Sequence, residues 1–318
     1  MKFLMALVAA LLIGAVAAGP VASLAAVPGL RGGLVAAVMF VTGLGLAAAA
    51  AGRALTRRAT WIAVTVNLAG VPAAMLGYLA VLRWAGLDPG PSIAAGLMVV
   101  TAVPCTLASA AVWTSRAGGD VSIAMAVTLI TNGLCLVSVP VVSWIGIESM
   151  SIDAASIDPG ATAWKLLVTV ILPLGLAGGV RLMVVRRGGA GWLAARKAWF
   201  RQINQAGILV MASMGASAGM GVGEFGAGGL VAMLAIGVGV VAVHLLAMGV
   251  SIGLTRAVGG TRGEQFAAGI GGSQKTLLVG LQIAIESGGS VLPMLAYHTA
   301  QLLIDTVVAD RWRRGGGG

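Results

Sequence analysis

The chain has 318 residues, 58% of them hydrophobic and 9% charged, with a net charge of +10. An average soluble domain carries about 25% charge, so this composition cannot clothe a water-facing surface, and a soluble globular enzyme is excluded. Disorder is excluded too, because disordered chains are poor in apolar residues.

The apolar excess must face lipid. A spanning helix needs about 20 mostly apolar residues. Apolar runs bounded by charge, Pro or Gly predict ten spans, at 3–19, 30–51, 60–82, 91–116, 120–146, 162–185, 204–222, 228–255, 262–286 and 289–309. The first run follows Lys2 and ends in small residues, a pattern that also fits a secretory signal peptide. We read it as a retained helix, since removing it would put the two chain ends on opposite sides. With the N-terminus inside, Lys2, Arg53, Arg57, Arg58, Arg116, Arg181, Arg186, Arg187, Arg196, Lys197, Arg201, Arg256, Arg262, Arg311, Arg313 and Arg314 share one side. Only Arg31, Arg83 and Lys165 fall on the other, and Lys275 lies within a span. Basic residues concentrate in short cytoplasmic loops, so both termini are expected in the cytoplasm and the protein in the cell inner membrane. The basic excess is thereby read as a membrane signature and not as a nucleic-acid surface.

The expected organisation is a single transmembrane domain over 1–318. Residues 1–146 form one half and 162–310 the other. Between them lies an external loop, 147–161, with Glu148, Asp153 and Asp158. Residues 190–203, with Trp192, Arg196, Lys197, Trp199 and Arg201, read as an amphipathic helix on the inner interface. Residues 311–318 form a cytoplasmic tail, and the Gly315–Gly318 run carries no functional information. Cys105 and Cys135 form no CxxC pair, and with only His244 and His298 present a multi-histidine metal site is not expected. No cofactor is expected.

Five spans per half is an odd number, which forces the halves into opposite orientation, the arrangement of transporters with inverted repeats. The fourth span of each half is interrupted. In 91–116, Pro104 lacks an N–H and disfavours helix before it. In 262–286, Gly269, Gly271 and Gly272 make a continuous helix costly. Breaks in corresponding spans point to a transporter's binding site, and unwound backbone in a bilayer must line a cavity or be buried in protein. Polar residues gather there: Thr106 and Ser109 after the first break, and Ser273, Gln274, Lys275 and Thr276 in the second. Asn67 lies in the third span, and Thr128, Thr131 and Asn132 lie in the fifth.

These residues carry a family resemblance. The stretch PCTLASAAVWTSRAGGDVSIAMAVTLITNGLCLVSVP (Pro104–Pro140) resembles the fourth and fifth spans of the bile acid:sodium symporter superfamily. GGSQKTLLVG (Gly271–Gly280) and YHTAQLLIDTVVADRW (Tyr297–Trp312) resemble its SBF-like branch, and AVMFVTGLGL (Ala37–Leu46) fits its second span. The resemblance implies an all-α fold of ten transmembrane helices in two inverted five-helix repeats. Spans 1, 2, 6 and 7 would form a panel, and spans 3–5 and 8–10 a core in which broken helices 4 and 9 cross. It implies alternating-access transport of a small organic anion, coupled to sodium or a proton. Sodium ligands carried over are Ser109, Thr128 and Gln274, with Asn67 at the polar position of span three. The sequence departs from the family pattern at Ala110, Ala124 and Ile270, where an asparagine, a serine and a shared glutamate are expected, so both sodium sites are short of ligands.

A buried lysine costs about 2.5–3.5 kcal/mol on the milder insertion scale, so Lys275 needs a compensating role. It could stand in for bound sodium, carry a proton or bind an anion. His298, Gln301 and Asp305 share one helical face. His298 reads as a core histidine or proton relay, Asp305 as a solvated carboxylate near the inner surface, and His244 as structural. Gly269–Thr276 imitates a phosphate loop, but Gln274 replaces the required glycine and no strand precedes it. Gly221, Gly223 and Gly226 imitate a dinucleotide fingerprint in an external turn. Two further classes stay open: an intramembrane serine hydrolase using Ser273 with His298 or Lys275, and a non-transporting membrane regulator. Substrate identity and oligomeric state are not legible.

Overall fold

A computed structural model describes residues 2–46, 51–107, 109–149, 158–219 and 229–315. It is helical, with no strand among the described residues. The helices are α1 (Lys2–Val16), α2 (Ala18–Ala25), α3 (Leu30–Gly45), α4 (Arg58–Thr65), α5 (Val71–Trp84), α6 (Pro91–Ala102), α7 (Ser109–Arg116) and α8 (Val121–Ser149). There follow α9 (Pro159–Leu166), α10 (Leu172–Arg186), α11 (Ala190–Ala195), α12 (Lys197–Gly219), α13 (Gly229–Ala257), α14 (Arg262–Ser273), α15 (Leu277–Glu286) and α16 (Leu292–Arg314).

Among the described residues, four stretches are long and apolar enough to cross a bilayer: Arg58–Trp84, Val121–Gly146, Pro159–Arg186 and Val231–Ala257. A fifth is the pair α1 and α2, bent by 96°. α13 shows why such helices belong in lipid. Its inward positions Ala232, Ala235, Ile236, Val240 and Val243 are buried, while Met233, Leu234, Val238 and Val241 are exposed. A helix apolar on both faces is at home only in protein interior or hydrocarbon.

Two of the long stretches carry a π turn in mid-course, Val66–Gly70 and Leu167–Ile171, each followed by a proline, Pro72 or Pro173. Val71 N–H bonds the carbonyl of Val66, five residues back. In that register the next donor would be Pro72, which has none. The carbonyl of Asn67 is thereby freed inside the protein.

Several expected elements differ in detail. The second span stops at Gly45 and not at 51. The segment 190–203 is not one interfacial helix: α11 ends at Ala195, and Lys197 already begins the long α12. Arg196, at the corner, stacks its guanidinium 4.1 Å from the centre of the Trp192 ring. The glycines Gly269, Gly271 and Gly272 lie within α14 and do not break it. Their missing side chains permit close packing, for a Cβ on Gly272 would stand 2.1 Å from Ser251 Oγ, and one on Gly271 3.0 Å from Val127. Asp158 caps α9, its carboxylate accepting from Gly160 N–H and Ala161 N–H at 2.8 and 3.2 Å. The rest of the acidic loop, with Asp153 and the Glu148 side chain, the turn 221–228 and residues 316–318 lie outside the described residues.

Apart from Lys275 and Asp305, the charged pairs among the described residues lie towards the two ends of the helices. At one end Arg116 grips Asp310 with two bonds of 2.8 Å, Arg57 lies 3.4 Å from Glu264, and Arg262 stacks on Trp312. At the other Lys165 pairs with Glu286 at 3.0 Å.

Candidate functional site where two broken helices meet

Helix α6 ends at Ala102 and α7 starts at Ser109; α14 ends at Ser273 and α15 starts at Leu277. The two gaps touch: Thr276 N–H donates to Pro104 C=O at 2.9 Å. Bare backbone at this depth must find partners, and side chains from four other helical elements supply them.

Around the first gap, Thr131 Oγ1 accepts from Cys105 N–H at 3.2 Å, and Asn132 Nδ2 donates to Cys105 C=O at 2.9 Å. Thr128 Oγ1 donates to Thr106 C=O at 3.1 Å. All three side chains come from α8, whose three- and four-residue spacing presents them on one face. Around the second gap, Asn67 Nδ2 donates to Gly271 C=O and Gln274 C=O, each at 3.0 Å. Tyr297 Oη donates to Ser273 C=O at 2.7 Å. Gln301 Oε1 accepts from Lys275 N–H at 3.0 Å, and its Nε2 donates to Lys275 C=O at 3.1 Å. A side-chain amide thus pairs with an unwound residue as a neighbouring strand would.

The polar side chains form groups that the unwound main chain joins into one network. Gln274 Oε1 accepts from Thr106 Oγ1 and from Ser109 Oγ, the latter at 3.0 Å, and Gln274 Nε2 donates to Asp305 Oδ2. The other Asp305 oxygen lies 3.0 Å from His244 Nε2, and His244 Nδ1 is 3.3 Å from Ser273 C=O. His298 Nδ1 meets Gln301 Nε2 at 2.8 Å. Lys275 reaches the other way, to carbonyls of Asn67, Thr101 and Val103.

Every residue singled out from sequence therefore touches this crossing: Asn67, Thr106, Ser109, Thr128, Asn132, Ser273, Gln274, Lys275, Thr276 and His298. Three participants were misjudged or overlooked. Asp305 is not solvated but fully buried. His244 is not isolated, because it pairs with a carboxylate 61 residues further on. Pro72, five residues after Asn67 in the same apolar run, is a visible sequence signal for a freed carbonyl. Among the described residues, Lys275 and Asp305 are the only Lys, Arg, Asp or Glu side chains with no exposed surface.

Ser273 Oγ donates to Gly269 C=O at 2.9 Å, a local back-bond to its own helix. The histidine beside it, His244, contacts its carbonyl and not its hydroxyl. Among the described residues, no oriented base addresses this hydroxyl. Ser273→Ala is expected to change stability by less than about 1 kcal/mol and to leave labelling by serine-reactive probes at the wild-type level, as measured by thermal unfolding and gel fluorescence.

Residues 1–314 match the SBF-like CPA transporter family. The chain belongs to that family. Similar proteins include "Uncharacterized protein PA2026" of Pseudomonas aeruginosa, 25% identical over 70% of this chain and 67% of that one. Another is "Probable sodium/metabolite cotransporter BASS4, chloroplastic" of Arabidopsis thaliana, 26% identical over 70% of this chain and 52% of that one. The alignment thus spans about half the length of the plant protein. Together with the apolar helices, membership of the SBF-like family makes this protein a multi-pass membrane transporter.

Proposed function

We propose that the protein is a secondary transporter of a small organic anion, working by alternating access in the cell inner membrane with both termini in the cytoplasm. In this reading the helices form ten spans in two inverted repeats, 1–146 and 162–310. The broken fourth span is α6 with α7, and the broken ninth is α14 with α15. The observation that carries the reading is the direct contact of the two breaks, Thr276 N–H on Pro104 C=O, within a shell of buried polar side chains. Paired discontinuous helices are how transporters expose backbone to a cargo or coupling ion.

Two seats for a coupling ion lie in the network. The oxygens of Ser109, Thr106, Thr128 and Gln274 are the candidate sodium ligands, and the pair Asp305 and His244 is the candidate proton acceptor. Among the described residues, Asn132 Oδ1, buried beside the first break, has no hydrogen-bond partner, and an arriving ion or donor would satisfy it. A cleft of about 200 Å³ at the Lys165–Glu286 end is lined by Arg31, Lys165 and Glu286; with Lys165 paired to Glu286, Arg31 is the cation it offers to an anion. A second cavity of similar size, beside Arg31, reaches Met214 and Ser217. Arg31 therefore offers a cation between two spaces.

Uptake of small carboxylates into proteoliposomes, under sodium and pH gradients imposed separately, tests this. Gradient-driven flux is expected. If sodium drives it, combining Ser109→Ala, Thr128→Ala and Gln274→Ala should reduce sodium-stimulated uptake at least about 10-fold, the loss expected when several ligands are removed together. Sodium dependence that survives the triple variant refutes the ligand assignment. Folded protein with no flux for any gradient favours a regulatory component.

A further inference from the structure

The Lys275 ammonium sits in an all-oxygen seat. Its Nζ lies 2.7 Å from Asn67 C=O, 2.8 Å from Thr101 C=O, 3.0 Å from Val103 C=O and 3.1 Å from Asn67 Oδ1. Each main-chain oxygen is available for a definable reason. Asn67 C=O is freed by the π turn and Pro72. Thr101 C=O would close the next helical turn on Cys105 N–H, but that donor goes to Thr131 Oγ1. Val103 lies past the end of α6, where carbonyls have no helical donor. No carboxylate belongs to the seat, and no salt bridge to Lys275 occurs among the described residues.

Four carbonyl-type oxygens converging on one point are what a desolvated monovalent cation requires, since they replace its hydration shell. Here the point is occupied by the tip of a side chain from the second break, while the oxygens come from the π turn and the first break. We propose that Lys275 is a tethered cation: its ammonium fills a monovalent-cation seat of the fold and clamps both breaks to the third-span π turn, where an exchangeable ion would otherwise be needed. The seat is defined by these contacts alone, and only its bearing on transport rests on the carrier reading. The last turn of α6 adds the negative end of a helix dipole to the same point. The separations match an ammonium, so the emptied seat should prefer ammonium and potassium over the smaller sodium ion.

The test is thermal unfolding of the purified full chain, which needs no substrate and so can fail independently of the transport reading. Lys275→Ala empties the seat, and Lys275→Met refills it with an uncharged group of similar length. Midpoints are measured in ammonium, methylammonium, potassium, sodium and N-methylglucamine chlorides at equal ionic strength. Lys275→Ala is expected to unfold well below wild type and to regain about 5 °C or more, saturably, in ammonium or potassium. N-methylglucamine should give no gain. Lys275→Met should be destabilised and indifferent to the cation, and adding Asn67→Ala to Lys275→Ala should weaken the rescue. Three results overturn the proposal: equal responses of Lys275→Ala to all five salts, wild-type stability of Lys275→Met, or Lys275→Ala that stays unfolded in every salt. In proteoliposomes, ammonium should restore at least about 10-fold of the flux lost in Lys275→Ala.

Discussion

Asp305→Ala is expected to lower stability by about 3–5 kcal/mol, the cost of removing one partner from a buried charged network, and to abolish gradient-driven uptake. Unfolding of the purified protein and flux in proteoliposomes read the two effects. The size follows from what the carboxylate holds. One oxygen receives Gln274 Nε2 and the other faces His244 Nε2. Gln274 in turn accepts from Thr106 and Ser109 across the gap between the broken helices. Truncation therefore releases one donor on α13 and another in the gap after α14, and among the described residues it removes the one acidic side chain with no exposed surface. Asp305→Asn separates these causes, since an amide preserves the shape and one acceptor while discarding the charge. It is expected to be destabilising as well. Combining it with Lys275→Met should recover at least about 1 kcal/mol relative to the sum of the two single variants, because a cation and an anion buried in one core offset each other through space even without direct contact; coupled sites show interaction energies of that order. Strict additivity in that cycle would mean that the two charges do not sense each other.

How far the site could be read from sequence depends on the kind of signal each residue left. Pro104 announces its break directly, because a missing N–H acts wherever it occurs. The glycines of α14 marked the right neighbourhood for the wrong reason. Glycine both weakens a helix and lets another helix approach, and packing against Ser251, Val127 and Ile252 favoured the second use, so unwinding begins at Gln274. The apolar run ends at 309 and so sets Asp305 near the surface, whereas α16 continues to Arg314. At 1.5 Å per residue those nine residues set Asp305 roughly 13 Å from the helix end. His244 gave no local cue at all. Its partners, Asp305 and Ser273 C=O, lie on other helices, and a histidine on an apolar helix looks the same with or without them. Residues matched by type to their own neighbours were legible, and residues defined by a cross-helix partner were not.

Gln301→Leu should be nearly as damaging, for a reason that is conformational and not electrostatic. The unwound residue Lys275 offers a main-chain N–H and C=O that no helix satisfies, and the Gln301 amide takes both, at 3.0 and 3.1 Å. Leucine fills similar volume but pairs with neither. Each orphaned buried group costs about 1–3 kcal/mol, moderated in membranes because the unfolded reference also finds partners, so a loss of about 2–4 kcal/mol is expected. Two relaxations are open to the chain. It can extend α14 by a turn and satisfy Lys275 within a helix, or it can admit water. Extension would carry Lys275 away from Asn67, Thr101 and Val103, and would move Thr276 N–H off Pro104. Either route costs the crossing its geometry, so uptake should fall at least about 10-fold even where the variant still folds. Gln301→Glu keeps an acceptor for Lys275 N–H and loses the donor to Lys275 C=O and to His298 Nδ1, so it should leave that carbonyl unpaired and disturb the His298 contact. Hydrogen exchange at Lys275 and Thr276 distinguishes the routes. Slowed exchange relative to wild type means the helix has closed over the gap, whereas faster exchange means water has entered. Unchanged exchange together with unchanged uptake would show that the break holds its shape without the Gln301 clamp.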